Sequence, residues 1–157
     1  MAAASLIASA LGIVLILVTA YILVGGTVMT SETVVNAQKD MTALQVKMIG
    51  TSMNIMDVSP SNPRYITIEN TGSETIRNFE QIDVFLTFSG SAPRIYTYNA
   101  GGGNGHWNKI EIVPDYIHPE QWDPGEVLNM SVEYEESGTL IGVQVTTGNG
   151  ASAIQAI

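Results

Sequence analysis

Cysteine is absent from this 157-residue chain, which excludes disulfides, thiolate metal sites and thiol catalysis. Basic residues are scarce: 6 Lys and Arg stand against 15 Asp and Glu, for a net charge of -9. They do not cluster, so the chain has no cationic patch for phosphate, and nucleic acid is not an expected partner. The same charge balance is repelled by anionic lipid head groups. Charge of either sign is missing from the first 31 residues, MAAASLIASALGIVLILVTAYILVGGTVMTS, and every Asp, Glu, Lys and Arg lies from Glu32 onward. The length allows one domain and an appendage.

The uncharged stretch contains an apolar run of 19 residues, Leu6 to Val24. At about 1.5 Å per residue, a helix of that length comes close to the ~30 Å hydrocarbon core of a bilayer. Three readings compete. A secretory signal ordinarily carries a basic flank and a shorter apolar core, and no Lys or Arg precedes Leu6. A membrane anchor fits by length, without the flanking cations that usually set orientation. The third reading is a helix from which a short basic leader has been cut, stored in the membrane and later packed among neighbours. Anchor and assembly helix both satisfy the physics.

The helical pattern continues past Gly25 and Gly26. Val34, Ala37, Met41, Leu44 and Met48 recur at spacings of 3, 4, 3 and 4, a seam on one helix face, with Gly50 as the stop. The spacing predicts one helix over about 3–49, softened at the glycine pair by about 1 kcal/mol per glycine. The amphipathic half is expected to pack on the chain's own head domain. The domain division drawn from this is 1–50 for the helix and 51–157 for the head.

From Ile55 the period changes. RYITIEN (64–70), IDVFLTF (82–88), RIYTY (94–98), KIEIV (109–113), EVLNMSVEY (126–134) and TLIGVQVTT (139–147) read as strands. Between them lie turn signals, including Asn70-Thr71-Gly72, the GGGNG run at 101–105 and Asp123-Pro124-Gly125. The predicted class is therefore α+β: a long N-terminal hydrophobic α-helix followed by an antiparallel β-sandwich or barrel. The C-terminal TTGNGASAIQAI is expected to complete the sandwich as an edge strand.

Little of the sequence points to chemistry. His106 and His118 have no nucleophile at catalytic spacing, so no catalytic residue is assigned and the chain is not expected to be an enzyme. Asp115, Glu120, Asp123 and Glu126 match no cation-loop motif, and no metal or cofactor ligand is assigned. GGGNG lacks the strand-to-helix context of a phosphate cradle and reads as a hairpin tip. Trp107 and Trp122 are expected in the core. Asn129-Met130-Ser131 is an N-glycosylation triplet, usable if Asn129 faces outward from an edge strand.

The uncharged ALGIVLILVTAYILVGG, leading into a polar helix and a β-sandwich, resembles the type IV pilin-like proteins, and within them the archaellins and their archaellum accessory relatives. ITIENTGSETI followed by IDVFL, and later WDPGEVLNMSVEY, are similar to strand-turn-strand segments of that sandwich. Bacterial type IV pilins carry glutamate at the fifth mature position; this chain has Ser5, a departure that favours the archaellin side if Met1 is the mature start. The resemblance implies a homopolymeric extracellular filament, the archaellum of swimming motility, with helices bundled as the core and sandwiches outside. It also implies a prepilin-type peptidase, an assembly ATPase and platform, and a membrane-inserted stage before assembly. The core positions are then Ala4, Leu6, Ala8, Leu11, Gly12, Leu15, Val18, Ile22, Val34, Met41 and Leu44. The alternative is a membrane-anchored, stator-like accessory module that binds the cell envelope, or an adhesive pilus subunit.

Overall fold

The computed structural model describes residues 2–157, apart from the side chains of Ala2 and Ala4. The expectation placed on Ala4 thus lies outside the described side chains. One α-helix, α1 (Ala2–Gly50), is followed by eight strands: β1 (Met53–Val58), β2 (Arg64–Asn70), β3 (Asp83–Phe88), β4 (Arg94–Tyr98), β5 (His106–Val113), β6 (Val127–Val132), β7 (Leu140–Thr146) and β8 (Ser152–Ala156). Helical hydrogen bonding runs unbroken through Gly25 and Gly26. The chain divides into two compact units between Ala43 and Leu44, so the last turns of α1 belong with the strands.

The strands form one sheet in the order β1-β2-β6-β5-β4-β3-β7-β8. Every pair is antiparallel except β4–β5, which is parallel and short, with Thr97 opposite His106 and Tyr98 opposite Trp107. That rung joins two antiparallel sets of four strands, and β1 and β8, at the two ends of the order, lie against each other. The result is a sandwich curled almost into a barrel. The expectation of a purely antiparallel head is corrected at this rung. GGGNG is consequently no hairpin tip: it lies in the 99–105 link, which carries the chain from one set to the other. Gly102, Gly103 and Gly105 there have φ of +67°, +109° and +79°, a conformation that side chains with a Cβ rarely adopt.

Alternation along the strands puts one side chain in two inward. Ile66 and Ile68 of β2 and Leu128, Met130 and Val132 of β6 meet Val84, Leu86 and Phe88 of β3 and Val143 and Val145 of β7 in one core. Trp107 and Trp122 are fully buried, and their indole N–H groups donate to the carbonyls of Ile82 (2.8 Å) and Glu126 (2.9 Å). An indole can be buried this deeply only with its N–H satisfied.

The end of α1 is held by a turn of the head. The Gly50 carbonyl accepts from the Ser73 N–H (2.7 Å) and the Glu74 N–H (3.2 Å), and the Ser52 carbonyl from Thr71 and Gly72 (2.9 and 3.0 Å). The turn is shaped by Asn70, fully buried, whose amide donates to the carbonyls of Glu74 and Trp122 and whose Oδ1 accepts from Gly72 N–H. On the other side, Asn149 Nδ2 reaches Thr51 Oγ1 (2.7 Å) and the Lys47 carbonyl (3.3 Å). Orphan carbonyls at a helix end need such partners.

Gly72 is required by space: a Cβ there would lie 2.3 Å from the Gly50 oxygen and 2.5 Å from the Ser52 nitrogen. Gly72→Ala is expected to destabilise the head by about 1–3 kcal/mol through overpacking against backbone that cannot move aside, read by denaturant titration of the full chain.

Candidate functional site: the apolar helix and the head

Among the described residues, one helix is long and apolar enough to cross a membrane, and none of its most apolar window is buried. Leu6, Leu11, Leu15, Val18 and Ile22 are between 51% and 69% exposed, and Ala8 and Gly12 are exposed beside them. Apolar side chains face every direction around this run, so no orientation of it hides them from water. The few polar groups are already partnered along the helix. Ser9 Oγ donates to the Leu6 carbonyl (2.9 Å), and Thr19 Oγ1 lies within donating distance of the Leu15 and Ile16 carbonyls (3.0 and 2.9 Å). A hydroxyl bonded back to its own helix can enter hydrocarbon without an unmade hydrogen bond. Tyr21, the only aromatic of the first 50 residues, sits near the end of the run, where an amphipathic ring suits a membrane–water boundary.

Beyond the glycine pair the seam is present as spaced, with Val34, Met41 and Leu44 50%, 65% and 63% exposed. The structure therefore exposes all the described helix positions and brings none of them together.

In the head, the acidic residues between β5 and β6 organise a loop. Asp123 is buried, and its carboxylate accepts from Thr75 Oγ1 (2.6 Å) and the His118 N–H (3.1 Å), with His118 Nδ1 3.0 Å from both oxygens. The Thr75 hydroxyl, reinforced by His118, holds the Asp123 carboxyl below its usual range against the opposing effect of burial. Glu126, also buried, accepts the Asp123 N–H, and Asp115 accepts the Glu120 N–H (both 2.9 Å). Glu120 pairs with Lys109, whose hydrogen bond lowers its pKa. Among the described residues no three His, Cys, Asp or Glu side chains converge to hold a metal ion. The acids serve instead as caps and loop braces. The His118–Asp123 contact was missed in the sequence, where a five-residue spacing across a proline gives no regular-structure signal.

At the β4 end, Tyr96 O–H donates to Glu136 (2.7 Å), with Arg94 3.8 Å from the same carboxylate. Burial, then the Glu136 contact, raises the Tyr96 pKa, and the Tyr96 hydrogen bond lowers that of Glu136. Asn129 lies on β6, an interior strand between β2 and β5, and so lacks the edge position on which its use as a glycosylation acceptor was conditioned. Its side chain is half-buried, with Oδ1 accepting from Thr67 Oγ1 and Nδ2 donating to Glu111, both at 3.1 Å. Its amide nitrogen is thus already engaged. His106 Nδ1 rests by Thr97 Oγ1 (3.2 Å) and meets no carboxylate.

No family model matches the chain. No curated protein matches it in sequence. Among solved structures, the archaellum periplasmic stator protein FlaG from Sulfolobus acidocaldarius is similar in fold, with a TM-score of 0.50 and 19% identity over 67% of this chain and 99% of that one. The archaellum periplasmic stator protein complex of FlaF and FlaG from the same organism matches with a TM-score of 0.49 and 17% identity, over 66% of this chain and 87% of that one. The likeness is to the fold.

Asp123 and Glu136 both have folded pKa values below their unfolded ones, so each contributes stability that is complete above about pH 4–5 and is lost as pH falls through the folded values. Thermal unfolding followed between pH 7 and pH 2 should therefore show Tm falling below about pH 4, and Asp123→Asn should flatten that fall.

Proposed function

We propose that this chain is a membrane-anchored accessory module of an archaellum-type machine, with residues 6–24 in the bilayer and the sandwich on the outer side, where it engages the envelope or neighbouring machine proteins. The observation that carries this reading is the pairing of a long, exposed apolar helix with a fold likeness to a stator protein over 67% of this chain and 99% of that protein. In this role the chain works by holding position: the helix fixes one end in lipid and the sandwich presents a rigid surface at the other. No catalysis is assigned to it.

The filament reading places the same helix in a bundle of its own kind, with Ala8, Gly12 and the other small residues allowing close approach. The two readings separate by experiment. Cells are sheared, and the full chain is followed in the sheared and membrane fractions. The anchored module stays with membranes and is extracted by detergent; recovery in long sheared filaments would overturn the reading in favour of a filament subunit. In the same assay Val14→Glu, a charge near the middle of the run, is expected to cost about 2.5–3.5 kcal/mol of insertion and to deplete the membrane pool. Wild-type retention of that variant would contradict anchoring through residues 6–24.

A further inference from the structure

Beside the end of α1 the head is hollowed into a cleft of about 470 Å³, a volume in the range of small-molecule sites. One wall is the 73–78 segment that leads from the Asn70 turn towards Phe79. Another is the turn between β7 and β8, and Lys47 lines it from the last turn of α1. All of these belong to the compact unit that contains the strands. The large apolar side chains along the cleft are Ile76 and Ile82, and Ile82 is fully buried. An apolar ligand would find little to pack against.

Five cations belong to this unit: Lys47, Arg64, Arg77, Arg94 and Lys109. Three are engaged by other side chains. Arg64 donates to the Tyr134 hydroxyl (2.9 Å), Arg94 stands 3.8 Å from Glu136, and Lys109 pairs with Glu120. The other two, Lys47 and Arg77, make no side-chain hydrogen bond or ion pair among the described residues, in a chain with 15 Asp and Glu, and both line the cleft. Lys47 suits a helix C-terminus in its own right. Arg77, on an irregular segment, has no such reason for its place. Glu74 is the acidic residue along the cleft, and its carboxylate pairs with neither cation. The side-chain amides of Asn78 and Gln81, also along the cleft, are likewise without partners among the described residues.

The backbone behind these groups is fixed. Ile76 and Trp122 exchange hydrogen bonds of 3.0 and 2.9 Å, Thr75 Oγ1 donates to the buried Asp123 carboxylate, and the Ser73 and Glu74 N–H groups hold the Gly50 carbonyl. On the β7–β8 side, Asn149 is tied to Thr51 (2.7 Å). Gly148 there sits so near Gln81 that a Cβ on it would lie 2.7 Å from the Gln81 Cβ. A preformed wall with unengaged polar groups lowers the ordering cost of binding.

We propose that this cleft binds an acidic sugar, a compact ligand that joins one carboxylate to a ring of hydroxyl groups. Arg77 and Lys47 take the carboxylate. Asn78 and Gln81 supply both the donors and the acceptors that hydroxyl groups need. Glu74 decides against a bare inorganic anion: its charge repels phosphate or sulfate, whereas a sugar offers it hydroxyl donors. A neutral sugar would leave the two cations unpaired. This inference goes beyond the anchored-module reading and does not depend on what surrounds residues 6–24.

The test uses the full chain, isotope-labelled on nitrogen, in a detergent without sugar or phosphate groups. It is titrated at constant ionic strength with glucuronate, methyl glucuronoside, glucose and inorganic phosphate, and NMR reads the side-chain amides of Asn78 and Gln81. The expected result is saturable movement of those signals by glucuronate or its glycoside, with a Kd of about 1 mM or tighter. Glucose and phosphate should bind at least about tenfold more weakly. Tighter binding of the glycoside assigns the ligand to a glycan end, and tighter binding of the free acid to a soluble sugar. Arg77→Gln should weaken glucuronate at least about fivefold. Because Arg77 is exposed and unpaired, the same substitution should leave Tm within about a degree. Glu74→Gln should strengthen phosphate binding without strengthening that of glucuronate. Signals unmoved by either sugar acid at about 20 mM would overturn the proposal. So would phosphate or glucose binding as tightly as glucuronate, or undiminished glucuronate binding by Arg77→Gln.

Discussion

Residues 6–24 form a helical run that is apolar on every face, and the need of that run for apolar surroundings is the constraint on which the rest of the protein depends. By the ~25 cal/mol/Å² rule, removing a run of about 20 apolar residues from water is worth tens of kcal/mol before ordering costs. A folded domain of this size has only about 5–15 kcal/mol of net stability. The hydrophobic effect therefore calls for apolar surroundings along this run, of the kind that lipid or many neighbouring helices supply. The hydroxyls of Ser9 and Thr19 conform to the same demand, since both are turned back onto helix carbonyls.

The head solves a different problem. It begins where the last turns of α1 leave a helix end whose carbonyls must be satisfied, and the Asn70–Glu74 turn together with Asn149 supplies those partners. The close approach at Gly72 makes this junction specific. The sandwich core then holds its own shape through two satisfied indoles and a row of branched aliphatic side chains, with the buried Asp123 carboxylate, held by Thr75 and His118, bracing the β5–β6 loop. These polar contacts spend the acidic residues on architecture, which is why a chain rich in Asp and Glu gathers no metal cage among its described residues.

Much of this was legible in the residues. The helix boundary at Gly50 followed from the 3-4 spacing and the glycine stop, and β2 and β4 match RYITIEN and RIYTY residue for residue because β-branched and aromatic positions alternate there. The C-terminal tail does pair on β7 as the final strand. β1 is not among the strands read from the sequence: Met53, Asn54, Met56 and Asp57 carry weak strand propensity around the lone Ile55 and follow directly on a helical seam, so pairing with β2 is what makes them a strand. The parallel β4–β5 rung also escaped, because a glycine-rich link reads the same in sequence whether the chain turns back or crosses over. The function divided along the same line. An apolar helix followed by a sandwich was visible at once, whereas a membrane anchor and a filament core share that plan, so the residues alone do not separate the two.

The central claim concerns what surrounds the helix, and the depth of its side chains measures that directly. Single spin labels at Leu15 and at Met41 of the full chain in lipid nanodiscs would be probed for collision with oxygen and with a neutral, water-soluble nickel complex. The account predicts Leu15 accessible to oxygen and shielded from nickel, and Met41 accessible to nickel. Shielding of Leu15 from both reagents would mean that protein, rather than lipid, covers the run, and would contradict the account.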